Sequence, residues 1–402
     1  MSLEHVRSLS GGMNQTGVRA YNERLLLSVL QRNGALPGSE LARRTGLSPQ
    51  TTSVISRKLE QDGLLQRGAP VKGQGKVGKP SEPFDINPDG VFSVGLKIGR
   101  RSADLLILDL KGKVRRQLRE TYDYPMPDTV FSFLRHGFET LMAEMTETTR
   151  SRVCGMGIAA PFELWNWHEL LGAPAKDFAS WRDVNFQDQA AQISKLPVHM
   201  VNDATAACRA EHMFGIGREF RDYVYFFVGA FIGGGIVLDH SVFEGNQQNA
   251  GAFGSLLIAD VDGNPGVLID LASIHTLEAR LEADGLDPRQ LWQTPQDWSH
   301  LQAYVQPWLD QTADALALAG VASCAVIDFE AVVIDGAMPA ECRSRLVALT
   351  RERMKYRDTR GLIAPTIQEG QVGSNARAIG AAVGPMISQH LLDRSAGLFD
   401  HG

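Results

Sequence analysis

Apolar residues in the first sixty positions recur at helical spacing. Val18, Tyr21, Leu25, Leu26, Val29 and Leu30 predict a helix over Val18–Gln31, closed by Asn33-Gly34. Gly38-Ser39 opens a second, short helix, Glu40–Thr45, and Gly46 turns the chain. Ser48-Pro49 reads as the N-cap and first residue of a third helix, which Asp62-Gly63 stops. In that helix Thr52, Ile55, Ser56 and Leu59 share one face at i, i+3, i+4 and i+7, so this side packs inward. Gln50, Thr51, Ser53, Val54 and Arg57 are left outward, with Lys58 beside them.

The pattern then changes from stripes to short runs. Leu64-Leu65 and Pro83–Ile86 read as two short strands joined by a Gly-, Lys- and Pro-rich loop carrying Lys72, Lys76 and Lys79. Asn87–Gly90 is a turn-rich linker. Val91–Leu110 reads as strand, glycine turn and strand, and further strands are expected over Lys113–Thr121, Val153–Ala159 and Val198–Val201. Helices are expected over Val130–Thr148, Phe186–Ser194 and Ala204–Phe214. Tyr223–Val228, a glycine turn containing Gly233-Gly234-Gly235, and Ile236–Leu238 repeat the strand–glycine–strand plan of 92–110 about 130 residues later. That turn is suited to cradle a phosphate or a sugar, or to form a tight hairpin packed in the core. Beyond it, Gly266–Leu281, Trp298–Ala319 and Ala376–Leu392 read as helices, and Ser323–Ile327 and Ala331–Ile334 as strands. Strands alternating with helices predict an α/β body with two similar lobes and a cleft between them.

Composition adds little except through charge. Hydrophobic residues make up 44% and charged residues 21%, as in ordinary globular proteins. Cys154, Cys208, Cys324 and Cys342 are not at metal-ligand spacing, and neither a signal peptide nor a membrane span is read, so a cytoplasmic protein is expected. Positions 17–86 hold eleven Lys/Arg and six Asp/Glu, a net of +5; the chain total of −6 leaves −11 for the rest. A basic head on an acidic body fits a protein in which only the head meets nucleic acid. Two helices joined by a tight glycine turn, followed by a basic two-stranded wing, are the parts of a winged helix-turn-helix. Gln50 and Arg57 can bond base edges bidentately and Val54 can touch a thymine methyl, while Thr51, Ser53, Lys58 and the wing lysines Lys72, Lys76 and Lys79 suit the phosphates around them. A small helical dimerisation module is the competing reading of the head.

Asn202-Asp203 stands between a strand and a helix. It reads either as a plain N-cap or as a carboxylate facing the crevice at a strand's C-terminal end. Trp165, Trp167 and Trp181 precede it and suit either sugar CH faces or core packing.

Taken together, Gly155-Met-Gly-Ile-Ala-Ala-Pro161, Val201-Asn-Asp-Ala-Thr-Ala-Ala207, Phe231-Ile-Gly-Gly-Gly-Ile-Val-Leu238 and Asn249-Ala-Gly-Ala-Phe-Gly254 resemble the ROK family of repressors, open reading frames and sugar kinases, over nearly the whole chain. The winged head makes the chain similar to the repressor branch, the xylose and N-acetylglucosamine repressors. The resemblance implies a winged helix-turn-helix over 1–88 and a first actin-like (ribonuclease-H-like) lobe over 89–204 with the C-terminal helix 376–395. It places a second lobe over 205–375, with a sugar bound between the lobes at Asn202, Asp203, Gly251, Ala252 and Trp181.

The departures point away from catalysis. The family's kinases open with D-x-G-G-T, where this chain has Lys97-Ile98-Gly99-Arg100-Arg101; a lysine offers Mg²⁺ no oxygen ligand. Their second phosphate turn, G-T-G, is Gly229-Ala230-Phe231 here. The family's zinc ligands fall on Ser255, Asp260, Asp262 and Val267, and the Glu of G-E-x-G-H on Ala252. No metal and no cofactor are therefore expected, and Asp203, the base in the kinases, is expected to accept a hydroxyl hydrogen bond instead. The implied function is a DNA-binding regulator, a repressor of carbohydrate metabolism, with operator DNA and a sugar effector as partners and a homodimer or homotetramer as assembly. The alternatives are an ATP-dependent sugar kinase with a DNA-binding head, or a sensor of a sugar phosphate gripped by Lys97, Arg100 and Arg101. A solvated positive turn is the plain reading of those three cations.

Overall fold

A computed structural model of the chain describes residues 15–68, 82–161, 178–259 and 263–392. In chain order the head holds α1 (Gln15–Asn33), α2 (Gly38–Thr45), α3 (Pro49–Gln61), β1 (Leu65–Arg67) and β2 (Phe84–Ile86). One half of the body follows: β3 (Phe92–Ile98), β4 (Ser102–Asp109), β5 (Val114–Thr121), α4 (Pro127–Ala143), α5 (Glu147–Arg150), β6 (Val153–Ala160), α6 (Phe186–Ser194), β7 (Val198–Asn202) and α7 (Asp203–Phe214). The other half holds β8 (Tyr223–Val228), β9 (Ile232–Leu238), β10 (Ser241–Phe243), β11 (Leu257–Ala259), β12 (Pro265–Val267), α8 (Leu268–Leu271), α9 (Ile274–Ala283), α10 (Gln302–Val326), β13 (Ala331–Gly336), α11 (Ala340–Met354) and β14 (Thr366–Glu369), after which α12 (Ala376–Gln389) packs back on the first half.

Two compact units divide the chain. The first takes the residues up to Phe92, Asp109–Lys111 and the residues from Met386. Its core is Leu26, Leu27, Leu30, Leu41, Ile55 and Leu59, each 5% exposed or less. Ser48 caps α3 by accepting from the Thr51 amide at 3.1 Å, Pro49 follows it, and Gly46 takes φ +70° between α2 and α3. Thr52, Ile55, Ser56 and Leu59 are buried, as their spacing predicts. β1 and β2 pair antiparallel, and Leu36 exchanges backbone hydrogen bonds with Phe84 at the foot of this ribbon. Arg24 donates to the carbonyls of Leu391 and Ile387, so the end of α12 is tied to α1.

The second unit contains two five-stranded sheets of one plan, β5-β4-β3-β6-β7 and β10-β9-β8-β13-β14. Each opens with an antiparallel meander and adds two parallel strands. The duplication expected from the strand–glycine–strand echo is thus a duplicated topology. Three local expectations need correction. Gly233-Gly234-Gly235 is not a turn: it lies inside β9, opposite Phe227, Phe226 and Tyr225. A Cβ at Gly233 would stand 2.7 Å from that of Ala204, and one at Gly235 2.5 Å from that of Cys208, so these glycines let β9 lie against α7. Ser323–Ile327 is no strand; it forms the last turn of α10 and its end, where Ser323 Oγ donates back to the Ala319 carbonyl. Gly266–Leu281 is not one helix, because Ser273 breaks it. Its hydroxyl accepts from the Ile232 amide at 2.9 Å and donates to the Ile269 carbonyl. Among the described residues no helix is long and apolar enough to cross a membrane.

Candidate functional site

The cleft is built from the ends of elements. Gly99 and Arg100 come from the β3–β4 turn, Pro161 from the end of β6, and Asn202, Asp203 and Ala204 from the start of α7. Phe227, Ala230, Phe231, Ile232 and Gly233 come from the β8–β9 turn and the strand ends beside it, Asn249, Ala250, Gly251, Ala252, Gly254 and Ser255 from the loop after β10, and Arg377 from the first turn of α12. The cleft's volume is about 290 Å³, at the lower edge of the range for small-molecule sites.

Four of the five sugar-site candidates line it: Asn202, Asp203, Gly251 and Ala252. Their roles differ. Asn202 Oδ1 accepts from the Ala204 and Thr205 amides at 2.9 and 3.3 Å, so the capping role is the one realised. Asp203 points its carboxylate into the cleft region, where Arg377 Nη1 lies 3.2 Å from Oδ2. Trp181 is the exception and needs correction. It is fully buried, stacks on Phe186 at 4.8 Å, donates its indole N–H to the Pro125 carbonyl at 3.0 Å, and is absent from the cleft lining. Its large apolar surface is used in the core. Trp165, Trp167, Asp260 and Asp262 lie outside the described residues. Ser255 lines the cleft. Among the described residues no cluster of His, Cys, Asp or Glu has a metal-holding arrangement.

Where the kinases keep their first phosphate turn, this chain is filled by ion pairs. Lys97 is 5% exposed; its Nζ donates to Asp104 Oδ2 at 3.2 Å and to the Ser102 hydroxyl and carbonyl at 2.9 and 3.0 Å. Burial lowers the Lys97 ammonium to about 8, against the pull of Asp104. Burial raises the Asp104 carboxyl, but Lys97 and Arg119 together bring it down to about 2. The two directions have separate causes: burial and nearby Arg377 disfavour the charge on Lys97, while two cations favour that on Asp104. Arg100 and Arg101 turn instead to Glu278 on α9, at 3.0 and 3.4 Å, and Trp292 donates to the same carboxylate at 2.7 Å. Lys97, Arg100 and Arg101 therefore do not converge on one point, as a three-cation phosphate grip requires. Phe231 of the second turn packs under Arg100, 5.3 Å from guanidinium carbon to ring centre. The amides of Ile274 and His275, at the start of α9, are spent on the Gly229 and Ala230 carbonyls. Glu278 and Arg377 carried no sequence signal; each is one charge on an otherwise ordinary helix.

On the head, Gln50, Val54 and Arg57 are exposed and Thr51, Ser53 and Lys58 half-buried, on the side of α3 opposite its buried stripe. Lys58 forms an ion pair with Asp62 one turn on. Lys72, Lys76 and Lys79 lie outside the described residues.

Comparison with known proteins agrees with both halves. A family model described as "ROK family" matches residues 93–383, and one described as "Winged helix-turn-helix DNA-binding" matches residues 19–66. A relative from Sinorhizobium fredii, "Uncharacterized protein y4fQ", is 23% identical over 365 residues, 90% of each chain. The xylose repressor of Bacillus subtilis is 22% identical over 246 residues, 61% of this chain and 62% of that one. A solved ROK family transcriptional regulator, described as a homolog of the E. coli MLC protein, superposes with a TM-score of 0.64 at 20% identity, covering 94% of this chain and 97% of that one. With its model spanning most of the body behind a winged helix-turn-helix, the chain belongs to the ROK family.

Proposed function

We propose that this protein is a sugar-responsive transcriptional repressor whose kinase-like body binds its effector without transferring phosphate. The observation that carries the reading is the pairing of a kept Asp203 with a first phosphate turn held by Lys97–Asp104 and Arg100/Arg101–Glu278 ion pairs. Phosphoryl transfer is mostly positioning and charge stabilisation, and a buried ammonium in the metal-side position supports neither. The printed name of the Bacillus relative, a xylose repressor, supports the same reading. The head over 1–88 is the DNA reader, through Gln50, Thr51, Ser53, Arg57, Lys58 and the wing lysines Lys72, Lys76 and Lys79. The lobes over 89–204 with the C-terminal helix 376–395, and over 205–375, hold the effector. As a homodimer or homotetramer, the protein presents paired heads to a two-fold operator. An effector works by binding one conformational state of the body better than the other.

Two tests bear on the head and the body separately. Arg57→Ala is expected to reduce discrimination against a mismatched operator base by about 1–3 kcal/mol, measured by titrating matched and mismatched duplexes. Operator binding that survives deletion of 1–86 would sink the DNA-reading role. The rival reading, an active kinase with a DNA-binding head, draws on Asp203. A coupled ADP-release assay over a sugar panel is expected to stay at background; turnover within the usual enzyme range, about 1–1,000 per second, would establish the rival.

A further inference from the structure

We infer that the effector carries a single negative charge, as a sugar acid with one carboxylate, and that Arg100 is the residue that takes up its acid group. The inference rests on the reading of the cleft as a sugar site and names the chemical class it selects.

Charge balance is the first ground. Among the described residues, the ion pairs with a member on the cleft wall are Arg100–Glu278, with Arg101 on the same carboxylate, and Arg377–Asp203. Three cations face two carboxylates there. An unmatched charge removed from water is costly, and a ligand of opposite sign offsets it.

Hydrogen bonding is the second and points to the residue. Glu278 serves Trp292, Arg101 and Arg100 at once. Arg100 is served worst: its Nη1 lies 3.0 Å from Glu278 Oε2 without the angle of a hydrogen bond, and both Nε and Nη1 are buried with no acceptor. Buried donors without a well-aligned acceptor are destabilising. Arg100 also lines the cleft, with its guanidinium seated on Phe231. A small rotation on that ring presents the idle edge to a carboxylate, the planar partner that a guanidinium fork matches. Asp203 and Asn249 remain on the cleft wall for hydroxyls.

The same balance separates carboxylate from phosphate. A phosphomonoester brings about −1.5 to −2 at neutral pH and overshoots a surplus of one beside buried Glu278 and Asp203.

The test is calorimetry on the full chain with D-glucuronate, D-galacturonate and D-gluconate. D-glucose, D-galactose and D-xylose serve as neutral probes, and glucose 6-phosphate and inorganic phosphate as the dianionic ones. At least one acid is expected to bind about 10-fold or more tightly than its neutral parent. Arg100→Gln should weaken that acid about 10- to 100-fold, well beyond any change it makes to the neutral probes. Glu278→Gln, which removes the competing carboxylate, should tighten it, and this keeps the inference open to test if Arg100→Gln does not fold. Neutral sugars binding as tightly as acids with sensitivity to Asp203→Asn, a phosphate ester binding tighter than every acid, or an Arg100→Gln protein unchanged toward acids would each overturn the inference while the sugar-site reading stands. If no probe of any class binds, both fall.

Discussion

Asp104→Ala is expected to destabilise the protein by about 3–5 kcal/mol, the loss typical of breaking a buried ion pair from one side, read from chemical denaturation. Asp104 is 4% exposed and accepts from Lys97 Nζ at 3.2 Å, Arg119 Nε at 2.5 Å and Gln117 Nε2 at 3.2 Å. Without it, Lys97 stays buried with only the two oxygens of Ser102. Lys97→Met should cost less, since Asp104 keeps Arg119 and an uncompensated buried ammonium is gone. The pH dependence follows from the directions. The folded Asp104 carboxyl lies near 2, below its ordinary 3.8, so its stabilisation is complete above the ordinary value and is lost as pH falls toward 2. Lys97 titrates near 8 in the folded state against 10.5 ordinarily. The unfolded chain then holds that proton more tightly, and stability rises as pH climbs between those values. Asp104→Asn should abolish the acid-side loss. The same cluster explains why Lys97→Asp is not expected to restore a metal site: it sets a second carboxylate beside Asp104 while Arg119 and Arg377 stay in place.

The head was readable because its signals are local. Ser48-Pro49, Gly46 and the Thr52/Ile55/Ser56/Leu59 stripe each act within one or two helical turns, and each is where spacing put it. The body was readable in topology, since unbroken apolar runs such as Tyr223–Val228 are strands buried on both faces. Local pattern failed where tertiary contacts decide. The Cys-Ala-Val-Ile run ending at Ile327 has strand composition, yet Ala313, Ala315, Leu316, Ala317, Ala319 and Gly320 before it carry α10 through to Val326. Trp181 was chosen for chemistry that its side chain has, and is buried against nearby Phe186 and against Phe131 of α4, a neighbour that sequence distance hides. Asp203 stood out because it sits at a strand–helix junction; Arg377, its partner, lies 174 residues away. Ion pairs over such separations leave no periodicity to read.

Gly157→Val is expected to cost about 3 kcal/mol or more, at the upper end of overpacking, and to weaken effector binding from a position that does not line the cleft. A Cβ at Gly157 would lie 1.8 Å from the Ala381 carbonyl oxygen, one at Gly380 1.7 Å from that of Ala206, and one at Gly95 2.1 Å from that of Ala378. Three backbone approaches thus press α12 onto β3, β6 and α7. A backbone neighbour cannot swing aside as a side chain can, so a valine at 157 drives α12 off the sheet. The first turn of α12 carries Arg377, which holds Asp203 at 3.2 Å and lies 4.9 Å over Phe227. Moving the helix moves the guanidinium away from the carboxylate that it orients. The comparison is Gly384→Ala in the same helix. Apart from its neighbour Pro385, whose ring disfavours a Cβ on the helical residue before it, its added Cβ meets only Arg209 and His199 side-chain atoms at 3.6 and 3.7 Å, so it should cost far less than Gly157→Val. Denaturation midpoints and effector titrations on the two variants decide the matter. Gly157→Val losing stability with effector affinity intact would mean that the seat of α12 does not position Arg377 for the ligand.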